Sequence, residues 1–314
     1  MIGPRTKIKF ILGFLLTSIF TISFAYGEAV KLDLSPEQTG RPTTTVNPQR
    51  VKDVENLSFI KKGTFTVATN TASSLPLHDY ASDAKTIIGL DIDLASAIAQ
   101  KMGKKLEIVE IIWADWPLGL SSGKYDAVIA NITVTEERKE KFDFATYRRD
   151  VIGIYVKNKS PIQEIKEAKD IAGLRVITDA GTNQEKILLE WDKQNIANGL
   201  KPIQVQYYDD KALQTLSLDS NRADAIFSVN AMQSYISATT GKTRLVGTVN
   251  GGWPLTAEIA VAIPKDNGFV EPMAAILNDL IKDGTYDKIL TRWNLKEETV
   301  PQSLINPRGL PKTP

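Results

Sequence analysis

No cysteine occurs among the 314 residues, which excludes disulfides and thiolate metal sites. There is one histidine, His78, so histidine-cluster metal sites are excluded, as is any Ser–His triad that does not use His78. No run beyond the first 30 residues is long and apolar enough to span a bilayer. An excess of one charge is missing too: 38 Lys and Arg stand against 37 Asp and Glu, and without the first 27 residues the balance is 35 against 37, about −2. That balance offers no electrostatic argument for nucleic acid or an anionic membrane as partner. No metal and no cofactor are expected. What remains is an ordinary globular composition, 42% hydrophobic and 24% charged, long enough for roughly two domains.

The first 27 residues differ from the rest. Arg5, Lys7 and Lys9 precede an apolar block from Phe10 to Phe24, then Ala25 and Gly27 sit as small residues before Glu28. That order predicts a secretory signal peptide over 1–27, with an uncleaved membrane anchor as the other reading. Thr17, Ser18, Thr21 and Ser23 inside the block favour cleavage, and the lack of cysteine at the cut excludes a thiol-linked lipid. Export would place the mature protein in the periplasm, with no stable membrane insertion. Residues 28–58 are rich in Pro, Thr and charge and weak in periodicity. They predict a flexible extension that drapes on the surface or stays disordered.

From Phe59 onward short β-rich runs alternate with helical ones. TFTVAT (64–69), KLEIVEI (105–111) and YDAVIA (125–130) read as strands, the last ending at Asn131. Residues 93–102 read as a helix with Leu94, Ile98 and Met102 on one stripe and Gly103 as its stop. The alternation resumes with LRVIT (174–178), a helix at 183–195, IQVQYY (203–208), a helix near 210–219 and ADAIFS (223–228). It predicts an α/β protein whose parallel sheets carry helices on both faces. LSSGKYDAVIA (120–130) and LDSNRADAIFS (218–228) match in unbroken register at an offset of 98 residues, which predicts two α/β lobes of similar build. Strand-like runs at 150–158 and 255–265 flank the second copy. If both cross between lobes, lobe 1 comprises 59–152 and 257–314, lobe 2 comprises 153–256, and a cleft lies between them.

Two stretches carry candidate chemistry. In ANITVTEERKEK, Thr133 and Thr135 follow a strand end, Thr135 can cap a helix over 136–141, and Arg138 adds a planar fork suited to a carboxylate. The bland reading is a capped surface helix whose arginine pairs with Glu137 or Glu140. In VITDAGTNQEK, Gly181 permits a tight turn and Thr182 precedes a helix with Glu185 three residues on, a capping box. The amides around Thr182, Asn183 and Gln184 would then face the cleft, so that an anion is held between one helix terminus in each lobe. A P-loop is excluded, since no Lys follows the glycine where one is required. Trp113 and Trp116 lie before the next helix, either as a pocket wall or as core, and Trp253 lies near the proposed hinge.

The run GLDIDLASAIA (Gly89–Ala99), the succession Trp, Leu-x-x-Gly-x-x-Asp and Thr-x-Thr-x-x-Arg through residues 113–138, the Gly181–Thr182 turn and DGTYDKILTRW (283–293) together closely resemble solute-binding protein family 3, the polar amino acid receptors of bacterial ABC importers. The resemblance covers about 59–295. It implies a two-lobed periplasmic-binding-protein fold of type II, lobes joined by two hinge strands, that closes on a small carboxylate-bearing ligand. It also implies ABC permease transmembrane subunits as partners. By family position Thr133 and Arg138 hold the ligand carboxylate, helped by amides near Asn183, and Trp113 forms a wall. Relatives often bind the α-ammonium with an Asp after the first strand and another after the second lobe's Asp-Ala strand. Here those positions hold Asn70 and Val229, with Asn230 beside the latter, and Ser73 stands where many relatives have an aromatic. The expected site is therefore Asn70, Ser73, Trp113, Asn131, Thr133, Arg138, Thr182, Asn183 and Asn230. A buried ammonium with no carboxylate is costly. The ligand is then either an opine-like or N-substituted amino acid, or an ordinary amino acid whose amine meets Asn70, Asn230 and carbonyl oxygens.

Two other functions compete with the binding module. Some proteins resembling this family are cyclohexadienyl dehydratase-like enzymes acting on cyclic carboxylic acids, and Glu258 is the one general acid to nominate for such chemistry. A sensory ectodomain is the third reading; no membrane-spanning run follows before Pro314.

Overall fold

The computed structural model describes residues 32–70, 74–208 and 210–312. The predicted signal peptide and Ser73 lie outside the described residues. In chain order the strands are β1 (Thr64–Asn70), β2 (Asp79–Tyr80), β3 (Ile87–Ile88), β4 (Lys105–Ile111), β5 (Ala127–Thr133), β6 (Phe142–Lys157), β7 (Arg175–Thr178), β8 (Gln204–Tyr207), β9 (Ala225–Val229), β10 (Thr243–Asn250) and β11 (Ala257–Pro264). The helices are α1 (Pro48–Asp53), α2 (Leu90–Lys101), α3 (Trp116–Ser121), α4 (Glu136–Lys139), α5 (Asn183–Ala197), α6 (Lys211–Asp219), α7 (Asn230–Thr240), α8 (Val270–Lys282) and α9 (Thr285–Arg292).

The main sheet runs β4-β1-β5-β11-β6-β9-β7-β8, with β10 also paired to β6. Each end is parallel: β4, β1 and β5 in lobe 1, and β8, β7 and β9 in lobe 2. The strands at the junction are antiparallel. Sixteen-residue β6 belongs to both lobes, pairing with β11 up to Asp150 and with β10 from Val151 onward. The chain returns to lobe 1 through 251–256, between the end of β10 at Asn250 and the start of β11 at Ala257, so one strand and one non-strand segment join the lobes, not the two hinge strands expected.

Helices cover both faces, as the alternation requires. In lobe 1, Leu94 and Ile98 of α2 and Met102 just past its end are buried with Phe65, Val67, Ile276 and Ile289, while Trp116, Leu120, Tyr125 and Phe144 form a separate apolar cluster. In lobe 2, Leu218 packs with Ile177 and Ile226, and Trp191 and Leu188 pack with Phe227. Gly89 opens α2 at φ +133°, where an added Cβ would sit 2.2 Å from the Leu77 carbonyl oxygen. Only glycine allows that approach.

The sequence expectation departs from the structure in three further places. β5 does not stop at Asn131 but continues to Thr133, with Asn131 at φ +54° inside it. Asparagine tolerates that left-handed region better than most residues, and the kink re-aims its side chain. The helix at 136 is a single turn of four residues rather than six. The extension, from residue 32, is docked. Arg41 pairs with Asp93 at 2.6 Å, Arg50 with Asp279 at 2.8 Å, and Val54, just after α1, is buried in the core. Its charges have fixed partners on α2 and α8, a form of order that hydrophobic periodicity does not report.

Candidate functional site

A cavity of about 330 Å³ lies between the lobes. It sits at the carboxyl ends of the parallel strands, where open α/β sheets bind ligands. Lobe 1 lines it with Asn70, Ile112, Trp113, Asn131, Thr133 and Arg138. Lobe 2 contributes Asp179, Thr182, Asn183, Gln184, Lys211, Val229 and Met232, and the shared strand β6 contributes Asp150.

Arg138 reaches the cavity from α4. One guanidinium nitrogen donates to the Thr133 carbonyl at 2.8 Å, and the guanidinium lies 5.5 Å from the Trp113 ring centre and 5.6 Å from that of Trp116. Among the described residues it has no carboxylate in salt-bridge range; Glu137 pairs with Lys186 of lobe 2 instead. Burial lowers the Arg138 guanidinium from 12.5 to about 10, which leaves it charged at neutral pH. Trp116 itself is core, tilted against Phe142 with ring centres 4.8 Å apart, and it is Trp113 that lines the cavity. Trp253 packs edge-on against Trp191 at 5.9 Å and is not among the cavity's lining residues.

The two helix starts are not equivalent. In α4, Thr135 Oγ1 accepts the Arg138 N–H at 3.1 Å, and the Glu136 N–H donates to the Leu310 carbonyl at 2.8 Å. The chain near its carboxyl end thus takes one amide that the sequence reading left free. In α5, Thr182 Oγ1 accepts the Glu185 N–H at 3.3 Å, and Glu185 Oε2 accepts from Gly181, one residue before the cap. The amides of Asn183 and Gln184 have no intrahelical partner at this first turn. The Asn183 Nδ2 is buried and unpartnered as well.

Of the expected residues, Asn70, Trp113, Asn131, Thr133, Arg138, Thr182 and Asn183 meet at this one cavity. Asn230 does not line it: its Oδ1 accepts the Tyr155 hydroxyl at 2.9 Å, while its neighbour Val229 lines the wall. Three charged residues were not anticipated. Asp179 is held by Lys211 Nζ at 2.6 Å and by Gln214 at 2.8 Å, a pair that neutralises itself. Asp150 is 5% exposed and belongs to a buried group with Arg148, Asn131 and Glu298. Burial pushes its carboxyl up to about 6, against the pull of Arg148. The signal for it was visible as Arg-Arg-Asp at the middle of β6, just before the apolar run from Val151 to Val156. Asp179 stood in the Thr-Asp-Ala-Gly-Thr turn and Lys211 at a helix start, but nothing local placed them across from each other. Among the described residues no group of His, Cys, Asp or Glu is arranged to hold a metal ion, and no helix is long and apolar enough to cross a membrane.

Two α/β lobes on a shared hinge strand, with an arginine that has no carboxylate partner among the described residues and a helix start at one small cavity, define a solute-binding protein. The chain belongs to the bacterial extracellular solute-binding proteins, family 3, whose model matches residues 66–296. It is 29% identical over 233 residues to the L-cystine-binding protein TcyJ of Escherichia coli strain K12, covering 73% of this chain and 82% of that relative. Among solved structures, an ancestral arginine-binding protein bound to arginine superposes with a TM-score of 0.65 at 31% identity, covering 74% of this chain and 98% of the other. The ancestral amino acid-binding protein AncCDT-1, a precursor of cyclohexadienyl dehydratase, superposes with a TM-score of 0.64 at 26% identity, covering 77% of this chain and 98% of the other.

Proposed function

We propose that this protein is the periplasmic receptor of an amino-acid-type ABC importer, exported by cleavage after residue 27. Its lobes, 59–152 with 257–314 and 153–256, close on one small carboxylate-bearing ligand, and the closed form delivers it to the transmembrane permease subunits. The observation that carries this reading is the convergence on one cavity of a guanidinium without a carboxylate partner, from lobe 1, and the buried unpartnered Asn183 amide, from lobe 2. A carboxylate satisfies both at once, and only when the lobes are together. Closure is then a population shift driven by contacts that the open state lacks. Asn70, Trp113, Thr133 and Thr182 complete the proposed ligand-binding set.

No catalytic step is proposed. Glu258, the general acid nominated from sequence, has an oxygen 3.6 Å from Arg149 and is not among the cavity's lining residues. The dehydratase-precursor neighbour is itself described as an amino acid-binding protein, which favours binding over chemistry.

A thermal-shift screen of the mature chain against the common L-amino acids, L-cystine and N-substituted derivatives tests the reading. Specific ligands raise the melting temperature in proportion to the logarithm of their concentration over Kd. Arg138→Ala is expected to lose about 2–5 kcal/mol of affinity, the range for a buried charge partner. Unchanged binding by that variant removes Arg138 from the site.

A further inference from the structure

Among the described residues, two that line the cavity carry a buried side-chain atom with no hydrogen-bond partner, and the two atoms are of opposite kind. One is the donor Asn183 Nδ2, the other the acceptor Asp150 Oδ1. The donor sits with Arg138 on the carboxylate side of the argument above. The acceptor has no counterpart in that argument.

Asp150 is held in place from behind. Asn131, at its left-handed kink in β5, donates from Nδ2 to Asp150 Oδ2 at 3.3 Å, while its Oδ1 accepts from Arg148. Arg148 is fully buried and salt-bridged to Glu298, and its nearest nitrogen is 3.7 Å from Asp150 Oδ1, beyond hydrogen-bond range. One guanidinium therefore serves two carboxylates, Glu298 and Asp150, and a third carboxyl, Asp91, is buried beside it. The group holds more potential negative charge than its single cation cancels, and it borders the cavity. An uncompensated buried charge is costly until a cation joins it.

Resting on the receptor reading, we propose that Asp150 receives a positively charged amine of the ligand. The ligand is then a zwitterion whose carboxylate lies at Arg138 and whose primary or secondary ammonium lies at the hinge strand. Acylated and amine-free carboxylates are disfavoured. This replaces the two carboxylates missing at Asn70 and Val229 with one supplied from a different element. It also makes β6, the strand on which the lobes turn, a direct sensor of occupancy.

Isothermal titration of the mature chain tests this, using the strongest binder among the common L-amino acids and L-cystine, together with its Nα-acetyl derivative. The wild type is expected to prefer the free amine by about 30-fold or more, and Asp150→Asn to weaken the free amino acid by about 30-fold or more. The same substitution should change binding of the acetyl derivative by less than about threefold, because that ligand has no charge for Asp150 to meet. A variant that binds the free amino acid as wild type does, or a wild type that prefers the acetyl form, overturns the proposal and leaves the receptor reading standing. The wild-type preference needs no substitution, so it decides the matter if Asp150→Asn fails to fold. A wild type that binds no member of the panel overturns the receptor reading and the role of Asp150 with it.

Discussion

Asp91 and Asp93 stand two residues apart on α2 and meet opposite surroundings. Asp93 accepts from Arg41 at 2.6 Å and from the Trp293 indole at 2.9 Å, and it also pairs with Arg292. It ties α2 to α9 and to the extension. Asp91 is 1% exposed and faces Tyr147 and Arg148, with its Oδ1 unpartnered. Burial raises its carboxyl to about 8, against the pull of Arg148. The sign follows from linkage. The folded protein keeps a proton that the unfolded chain releases above about 4, so this group costs stability progressively as pH rises from about 4 to about 8. Asp150, raised to about 6, adds a cost of the same sign at the lower end of that window. Asp91→Asn is expected to raise the melting temperature more at pH 8 than at pH 5, measured by calorimetry. An equal shift at both values would show that Asp91 is ionised throughout.

The 98-residue echo has a mechanical basis in its aspartates. Asp126, entering β5, accepts the Thr66 N–H at 2.7 Å and the Ile60 N–H at 2.8 Å, and its own N–H donates to the Thr66 carbonyl at 2.8 Å. Asp224, entering β9, accepts the Arg175 N–H at 2.9 Å and donates to the Arg175 carbonyl at 2.8 Å. In both lobes the residue after the turn locks a helix-to-strand turn onto the adjacent parallel strand. Asp126→Ala leaves the buried Thr66 amide without its acceptor, at a cost of about 1–3 kcal/mol. Asp224→Ala is expected to cost less, because that side chain is partly exposed and water can substitute for it. Urea unfolding of the two variants checks the order. The starts of α4 and α5 show the opposite lesson: similar Thr-capped segments differ because Leu310 occupies an amide of one, while among the described residues no backbone carbonyl outside the helix occupies the other.

Lobe closure brings exposed charges together as well as the site. Lys186 of lobe 2 lies 3.2 Å from Glu137 of lobe 1, with both side chains at least 38% exposed. Such a pair contributes about 0.2–1 kcal/mol and is screened by salt. Lys186→Ala is therefore expected to weaken ligand binding by less than about fivefold, with the difference vanishing at high ionic strength. A larger, salt-insensitive loss would place Lys186 in the site rather than on its rim. Ligand should also shrink the radius of gyration seen by small-angle scattering in the wild type, and Arg138→Ala should suppress that change at the same ligand concentration.

Alternation of β-rich and helical runs, the capped turn at Thr182, the echo and the run from Thr133 to Arg138 were legible because each depends on residues close together in the chain. Strand, turn and cap preferences are local and pointed to Thr133, Arg138, Thr182 and Asn183, while Asn70 and Trp113 came from the family resemblance; all six line the one cavity. Pairing between distant segments was not legible. Leu310 over α4, Lys211 across from Asp179, Tyr155 turning Asn230 aside, and Arg41 reaching Asp93 all join residues 32 or more positions apart. Nor could the sequence say that Asp150, in the middle of β6, would stand beside a guanidinium already taken by Glu298. Charge balance in a buried site is a sum over neighbours in space, and folding alone chooses those neighbours.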